Sequence, residues 1–499
     1  MKPKVLVVLM NGLTVGQVEQ DRTGKFAFAY DPKWQAAASP TPLSLSMPLA
    51  RSKHVDSVVR PFLWGLLPDN EAVLARWAKE YQVSPRNPFA ILAYVGEDCA
   101  GAAQFAEPDR AALLPEAGEV QWLSEREIAK QLKRLRGDPT AWHVAIGHGQ
   151  FSLAGVQAKT ALLKDGNRWG RPSGRIPTTH ILKPAVVGLD QHDLNEHLCL
   201  EAIRRLQIPA ARSSIGNFHS ERAIVVERYD RIKRAGEWQR VHQEDLCQSM
   251  SRLPSQKYQS EGGPAPSEIA ELFRSVQAPS DAEESVWRFV DALILSWLLG
   301  STDAHAKNYS MLLSARQARL APLYDVASAF PYDDLDRYRL RLAMKVGSRY
   351  ELRTVGRPAW RQLATNLDLD EVRLIDRADA LANSLPDALA DACMDPAVTA
   401  LKSGMPRRLL KSVSEHVRTC RELLHLGATA ASADKKIRST RTRARKRTTA
   451  KKATAKKATA IATKATARKA TATATKTATK TATKKATANK RGETDARQG

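Results

Sequence analysis

Residues 5–9 form an unbroken apolar run, 13–18 mix apolar and polar positions, Asn11-Gly12 stands between the two, and 26–30 is a third short run, of Phe, Tyr and Ala. Short β-branched and aromatic runs bounded by turn residues read as strands, and Asn-Gly tolerates the positive backbone angles of a two-residue hairpin, so the chain is predicted to open in β-structure. From 61 to 82 the spacing lengthens: Leu66, Val73, Leu74, Trp77 and Tyr81 recur at helical intervals, and 89–95 is a second helical stretch. A Pro-, Ala- and Glu-rich stretch from Phe105 to about Glu119 marks the end of this first α+β unit, taken as residues 1–110, and the start of a connecting segment over 111–150. Within that connection Ser124 and Glu127 have capping-box spacing, and the helix they start is expected to stop near Gly137-Asp138-Pro139. Farther on, 151–163, 179–182 and 223–227 read as strands, whereas 195–206 and 286–299 read as helices. Strands first and helices later predict a two-lobed α+β unit over 151–430, with a strand-rich lobe to about 235 and a helical lobe from 236.

Composition changes this picture in one place. A hydrophobic fraction of 43% and a charged fraction of 26% are ordinary for a globular chain of 499 residues, but a formal charge of +24 is not. Residues 435–499 hold 22 Lys and Arg against Glu493 and Asp495, so the tail carries most of the excess and the body is close to neutral. The Lys/Ala/Thr repeats of 431–499 contain no aromatic residue, so this tail is expected to stay disordered and to bind DNA or RNA through phosphates without reading sequence. A merely solubilising tail is the alternative. The five cysteines are scattered without metal or redox spacing. The first apolar run meets a hairpin turn rather than a cleavage site, and no segment has about 18 uninterrupted apolar residues, so a cytoplasmic protein without a membrane partner is expected.

The strongest local chemistry is Ser301-Thr302-Asp303-Ala304-His305-Ala306-Lys307-Asn308, between an apolar helical run and the β-like run 309–313. Phosphoryl transfer needs a carboxylate to orient and deprotonate the attacking hydroxyl, and an amide oxygen nearby for magnesium. Asp303 and Asn308, five apart on one loop, supply both. A further strand is expected over 320–323, placing Asp325 where it can take the main metal position, since Mg²⁺ uses few carboxylates and keeps water and phosphate ligands. Singly, Asp303 or Asn308 reads as well as a cap or turn residue; their combination with Asp325 carries the signal. His305 reads as loop architecture with some help to Asp303.

Upstream, Ser152-Leu153-Ala154-Gly155-Val156-Gln157-Ala158-Lys159 offers small residues whose N–H groups can approach phosphates, although a glycine-turned hairpin fits equally and neither phosphate-loop consensus is present. Lys183 stands where it can pair with ATP phosphates, with Glu196 on the next helix to hold it; a solvated strand-end lysine is the plainer reading. Glu227-Arg228-Tyr229-Asp230-Arg231 ends an apolar strand where a kinase joins its lobes, though alone it is a turn.

Together these segments resemble the HipA family of kinase toxins from type II toxin–antitoxin modules, from Val5 to about Leu426. The resemblance also rests on Pro42-Leu43-Ser44-Leu45-Ser46-Met47-Pro48-Leu49, Pro177-Thr178-Thr179-His180-Ile181-Leu182-Lys183-Pro184, Gln243-Glu244-Asp245-Leu246-Cys247-Gln248, Lys257-Tyr258 with Gly262-Gly263-Pro264, and Leu323-Tyr324-Asp325-Val326. It implies a small N-terminal α+β subdomain followed by a bilobal protein-kinase-like core. It also implies a serine/threonine kinase using ATP and Mg²⁺, with Asp303 as catalytic base and Asn308 and Asp325 as metal ligands. Residues 154–159, Lys183, the hinge Glu227, Arg228 and Tyr229, and His305, Lys307 and Tyr324 would bind the nucleotide, with Glu196 in support. Ser152 matches a serine that family members phosphorylate on themselves, which expels the loop and switches the kinase off. The implied partners are a helix-turn-helix antitoxin like HipB, operator DNA through it, and a protein substrate such as an aminoacyl-tRNA synthetase. Two departures, Ser301 where the family commonly has Asn and Ala158 where Glu is frequent, bear on substrate fit and loop flexibility rather than on a catalytic atom. A lapsed kinase serving as a DNA-associated repressor partner, or a kinase of a small molecule, stands as the alternative.

Overall fold

The opening runs become a five-stranded antiparallel sheet, seen in a computed structural model that describes residues 4–114, 118–142, 151–186 and 188–425. Strands β1 (Lys4–Met10), β2 (Leu13–Gln20), β3 (Phe26–Tyr30), β4 (Lys53–His54) and β5 (Ala103–Ala106) lie in the order β4-β3-β2-β1-β5. Asn11 and Gly12 both have positive φ, 47° and 84°, as the two-residue hairpin requires. The helical stretch read over 61–82 is two helices, α1 (Asp56–Gly65) and α2 (Glu71–Glu80), because the Asn70 side chain accepts from the Ala72 and Val73 N–H groups and starts a new helix. With α3 (Pro88–Val95), these helices cover the sheet around Phe28, Phe62, Trp77 and Phe105.

The segment read as a connection does more than connect. Its β6 (Val120–Leu123) pairs with β8 (Arg168–Pro172), and α4 (Glu125–Gly137) starts at the Ser124–Glu127 capping box. With β7 (Thr160–Asp165), β9 (His180–Pro184), β10 (Ser213–Phe218) and β11 (Glu221–Glu227), β6 and β8 form a six-stranded sheet in the order β10-β11-β9-β7-β8-β6. Ile128 and Leu132 of α4 pack on Leu162, Leu182 and Val225 of that sheet.

The strand expected over 151–163 begins only at Thr160, and 151–159 is a loop. Phe151 and Leu153 imitate a strand pattern because they are buried in the core of the first sheet, not because they alternate across a pleat. The helical lobe is built on α5 (His192–Arg205), α6 (Pro279–Leu299), α7 (Glu371–Cys393) and α8 (Met405–His425), with Leu198, Phe289, Trp297, Leu385 and Leu409 in one core. A small sheet of β12 (His242–Asp245), β13 (Ser310–Leu313) and β14 (Ala318–Leu320) faces the strand-rich lobe's cleft side. The strand expected over 320–323 ends at Leu320, and Leu323 keeps a single bridge to Ala210. Among the described residues no helix is long and apolar enough to cross a membrane. The basic tail lies outside the described residues.

Candidate active site

Two adjoining cavities hold the residues singled out by sequence. The inner one, about 930 Å³, is walled by Ala154, Gly155, Lys159, Lys183, Glu196, the hinge Glu227, Arg228 and Tyr229, and by His305, Lys307, Asn308, Tyr324 and Asp325. The outer cleft, about 1450 Å³, shares Gly155, His305, Asn308 and Asp325 and adds Val156, Gln157, Ala158 and Asp303. Ser152 lines neither.

Each wall has a local cause. Gly300 ends α6 in the left-handed region, φ 65°, with the Ser301 N–H returning to the Ser296 carbonyl at 2.9 Å. The chain then turns at once into the loop 301–308. That loop is internally tied: the Asn308 side-chain amide donates to the Asp303 carbonyl at 2.7 Å, which leaves the Asn308 Oδ1 as an acceptor, and the Asn308 N–H donates to the His305 carbonyl at 2.9 Å. The Asp303 side chain is 68% exposed, and its Oδ1 accepts from the Tyr258 hydroxyl. Burial pushes His305 down to about 4, so its ring is neutral near neutral pH.

Lys183 is the electrostatic centre. Its ammonium reaches Glu196 Oε1 and Asp325 Oδ1, each at 2.7 Å, joining β9, α5 and the segment after β14. Burial works against its charge, but the Asp325 and Glu196 carboxylates outweigh burial and hold it above the usual lysine value. Asp325 itself adopts φ 58°, a conformation uncommon for aspartate, and the opposing Lys183 and Lys159 charges overcome burial to keep it ionised. Lys159, under the loop, donates to the Ala154 carbonyl at 2.6 Å; burial, with repulsion from Lys183, lowers it to about 8. A Cβ on Gly155, whose φ is 104°, would come within 2.8 Å of the Lys159 ammonium, so the glycine lets backbone and lysine close around one space.

Several expected nucleotide contacts offer walls or backbone rather than side-chain charge. The Arg228 guanidinium turns away to Asp230 at 2.9 Å and Asp98 at 3.4 Å, and the Arg228 backbone N–H donates to the Thr179 carbonyl. Tyr229 donates to Gln243 and Tyr324 to the Lys307 carbonyl. Lys307 is buried in ion pairs with Asp245 at 3.0 Å and Asp69 at 3.5 Å, so its ammonium braces the loop. Ser152 is fully buried, with its hydroxyl on the Leu66 carbonyl at 2.7 Å and its N–H on the Asp98 carbonyl. Asp69 and Tyr258 were not assigned a site role from sequence; the signal available for Asp69 was the turn-forming run Pro68-Asp69-Asn70 inside the stretch 61–82, which was read as one helix.

The arrangement matches known proteins along most of its length. The HipA N-terminal domain model matches residues 6–106 and the HipA-like C-terminal domain model matches 151–389. Y4mE of Sinorhizobium fredii is 35% identical over 401 residues, which is 78% of this chain and 93% of that protein. The chain belongs to the HipA family. Within the family, the serine/threonine-protein kinase toxin HipA of Shewanella oneidensis is 28% identical over 409 residues, 78% of this chain and 89% of its own. The solved structure of Shewanella oneidensis HipA with HipB and its operator DNA superposes with a TM-score of 0.70 at 26% identity, covering 84% of this chain and 99% of that one. The HipA architecture therefore accounts for both the five-stranded N-terminal sheet and the two lobes that enclose the site.

Proposed function

We propose that the protein is a Mg-ATP-dependent protein serine/threonine kinase, the toxin half of a type II toxin–antitoxin module. The observation that carries this reading is the pairing of Lys183 with both Glu196 and Asp325 at the floor of a cavity that opens directly onto Asp303. In the reading, Lys183 and Lys159 hold phosphates, and backbone groups of residues 154–159 close over them. The backbone of Glu227, Arg228 and Tyr229 walls the adenine end, and Asp303 accepts the proton of the acceptor hydroxyl. Asn308 and Asp325 would hold magnesium: one amide oxygen and one carboxylate form the sparse oxygen set that leaves room for phosphate and water. When bound, the ion neutralises charge on the transferring phosphate.

Ser152 modification fits the same geometry as an off-switch. Its hydroxyl is buried against Leu66, so phosphorylation requires the loop to leave its seat, and about two added negative charges would not fit back into it. The likeness to Shewanella HipA extends the proposal to a HipB-like helix-turn-helix antitoxin, with operator DNA bound through it, and the family resemblance to an aminoacyl-tRNA synthetase as protein substrate. The tail adds non-specific DNA or RNA binding.

The test is mass spectrometry of the purified protein and of a cell extract after incubation with Mg-ATP. The reading predicts new phosphoserine or phosphothreonine in extract proteins and phosphate on Ser152. Phosphate appearing only on small metabolites would contradict it.

A further inference from the structure

We infer that Tyr258 is a positioning residue for the Asp303 carboxylate, an inference that rests on the kinase reading of this site. The Tyr258 hydroxyl donates to Asp303 Oδ1. Asp303 needs such a partner, because a side chain 68% exposed otherwise spreads over several rotamers. His305 Nε2 stands 4.0 Å from the same oxygen, beyond hydrogen-bond reach, and Asn308 engages only the Asp303 backbone carbonyl. Oδ2 accepts no hydrogen bond among the described residues, which leaves it for the proton of the acceptor hydroxyl.

The segment that carries Tyr258 is built to hold it still. Two single turns, Pro254–Gln256 and Gln259–Glu261, flank Lys257 and Tyr258, and the Tyr258 carbonyl accepts the Glu261 and Gly263 N–H groups at 2.9 Å. A Cβ on Gly263 would lie 2.4 Å from the Gln256 carbonyl oxygen and 2.7 Å from that of Tyr258, so this tight return admits only glycine. The Lys257 carbonyl accepts the Ala306 N–H at 3.1 Å, which ties the turn to the loop of Asp303. The Tyr258 ring stands edge-on to the buried His305 ring, with centroids 5.0 Å apart.

Asp69 anchors the arrangement from the N-terminal sheet's side. Its carboxylate pairs with Lys257 at 3.1 Å and Lys307 at 3.5 Å, while its N–H donates to the Gly155 carbonyl at 3.1 Å. One residue thus fixes the turn of Tyr258, the loop of Asp303 and the loop over the phosphates relative to one another. Displacement of a reacting group by an ångström costs on the order of 10²-fold in rate, so losing the hydroxyl that aims the base should appear in kcat rather than in ATP binding.

The experiment compares full-length wild type, Tyr258→Phe and Asp303→Ala. It measures phosphate transfer from labelled Mg-ATP to the protein itself and to myelin basic protein, ATP affinity by equilibrium binding, and the thermal midpoint. Tyr258→Phe is expected to transfer roughly ten- to a hundred-fold more slowly, with KM and Kd for ATP and the thermal midpoint unchanged. Transfer at or above the wild-type rate overturns the inference. So does a slowed rate accompanied by an equal loss of ATP affinity, because Tyr258 would then be a structural residue. A wild type that binds ATP yet labels neither acceptor is a separate result, and it removes the kinase reading itself.

Discussion

At the scale of single residues, the site depends on buried charges that satisfy one another. Glu196 is 1% exposed and shares Lys183 with Asp325, so Lys183→Met leaves a buried carboxylate unpaired. Breaking a buried pair from one side costs about 3–5 kcal/mol, and chemical denaturation should show a loss of that order along with weakened ATP binding. Lys159 makes a pH prediction. Because burial holds it near 8, it is protonated below that pH and loses its charge above it, so ATP affinity should weaken as the pH rises through about 8. Titrating ATP binding against pH checks this, and Lys159→Arg should flatten the profile. Sequence made some of these residues legible and hid others. Asp303 and Asn308 share one short loop and were nominated by their combination with Asp325, whereas Lys183 and Glu196, 13 positions apart, gained weight only from the other motifs. Asp69 and Lys257 are 188 positions apart, and no local pattern links them.

At the scale of elements, ends matter more than middles. Gly300 occupies a left-handed position, and a Cβ there would come within 2.4 Å of the Phe330 ring. Gly300→Ala is therefore expected to destabilise the fold by at least roughly 1–2 kcal/mol and to slow phosphate transfer, because the loop of Asp303 starts at that cap. Ser124→Ala is the contrasting case: it removes the capping box of α4 and should cost about 1 kcal/mol while leaving transfer unchanged. Paired unfolding and activity assays separate the two. The capping box and the opening hairpin were legible because their signals are short and local. Loop 151–159 was misread as strand because Phe151 and Leu153 are apolar for the sake of a neighbouring core, a cause that lies outside any sequence window.

At the scale of the whole molecule, stability and activity should separate from the tail. Every residue assigned to the site lies before His425, so a chain lacking 435–499 should transfer phosphate at the full rate and lose salt-sensitive retention on DNA. Acid should weaken the fold. Burial holds His180, His242 and His416 near 4, against about 6.5 in an unfolded chain. Their contribution is complete above about 6.5 and is lost as the pH falls toward 4, since only the unfolded chain takes up those protons. Glu244 acts in the opposite sense, because burial raises it to about 7 and its penalty fades on acidification. These three histidines, with His305, which burial also holds near 4, outweigh Glu244, so the thermal midpoint should fall between about pH 7 and about pH 5. The two-lobed order was legible from strands preceding helices, whereas the joining of β6 to the second sheet was not, since a four-residue strand paired across about fifty residues leaves no periodic trace.

The role of Asp303 as base of a phosphate-transfer reaction is tested by transfer from labelled Mg-ATP by wild type and Asp303→Ala, each with its ATP affinity. Asp303→Ala is expected to bind ATP as wild type does and to transfer about 10²- to 10⁴-fold more slowly. Transfer by Asp303→Ala at the wild-type rate would contradict that role.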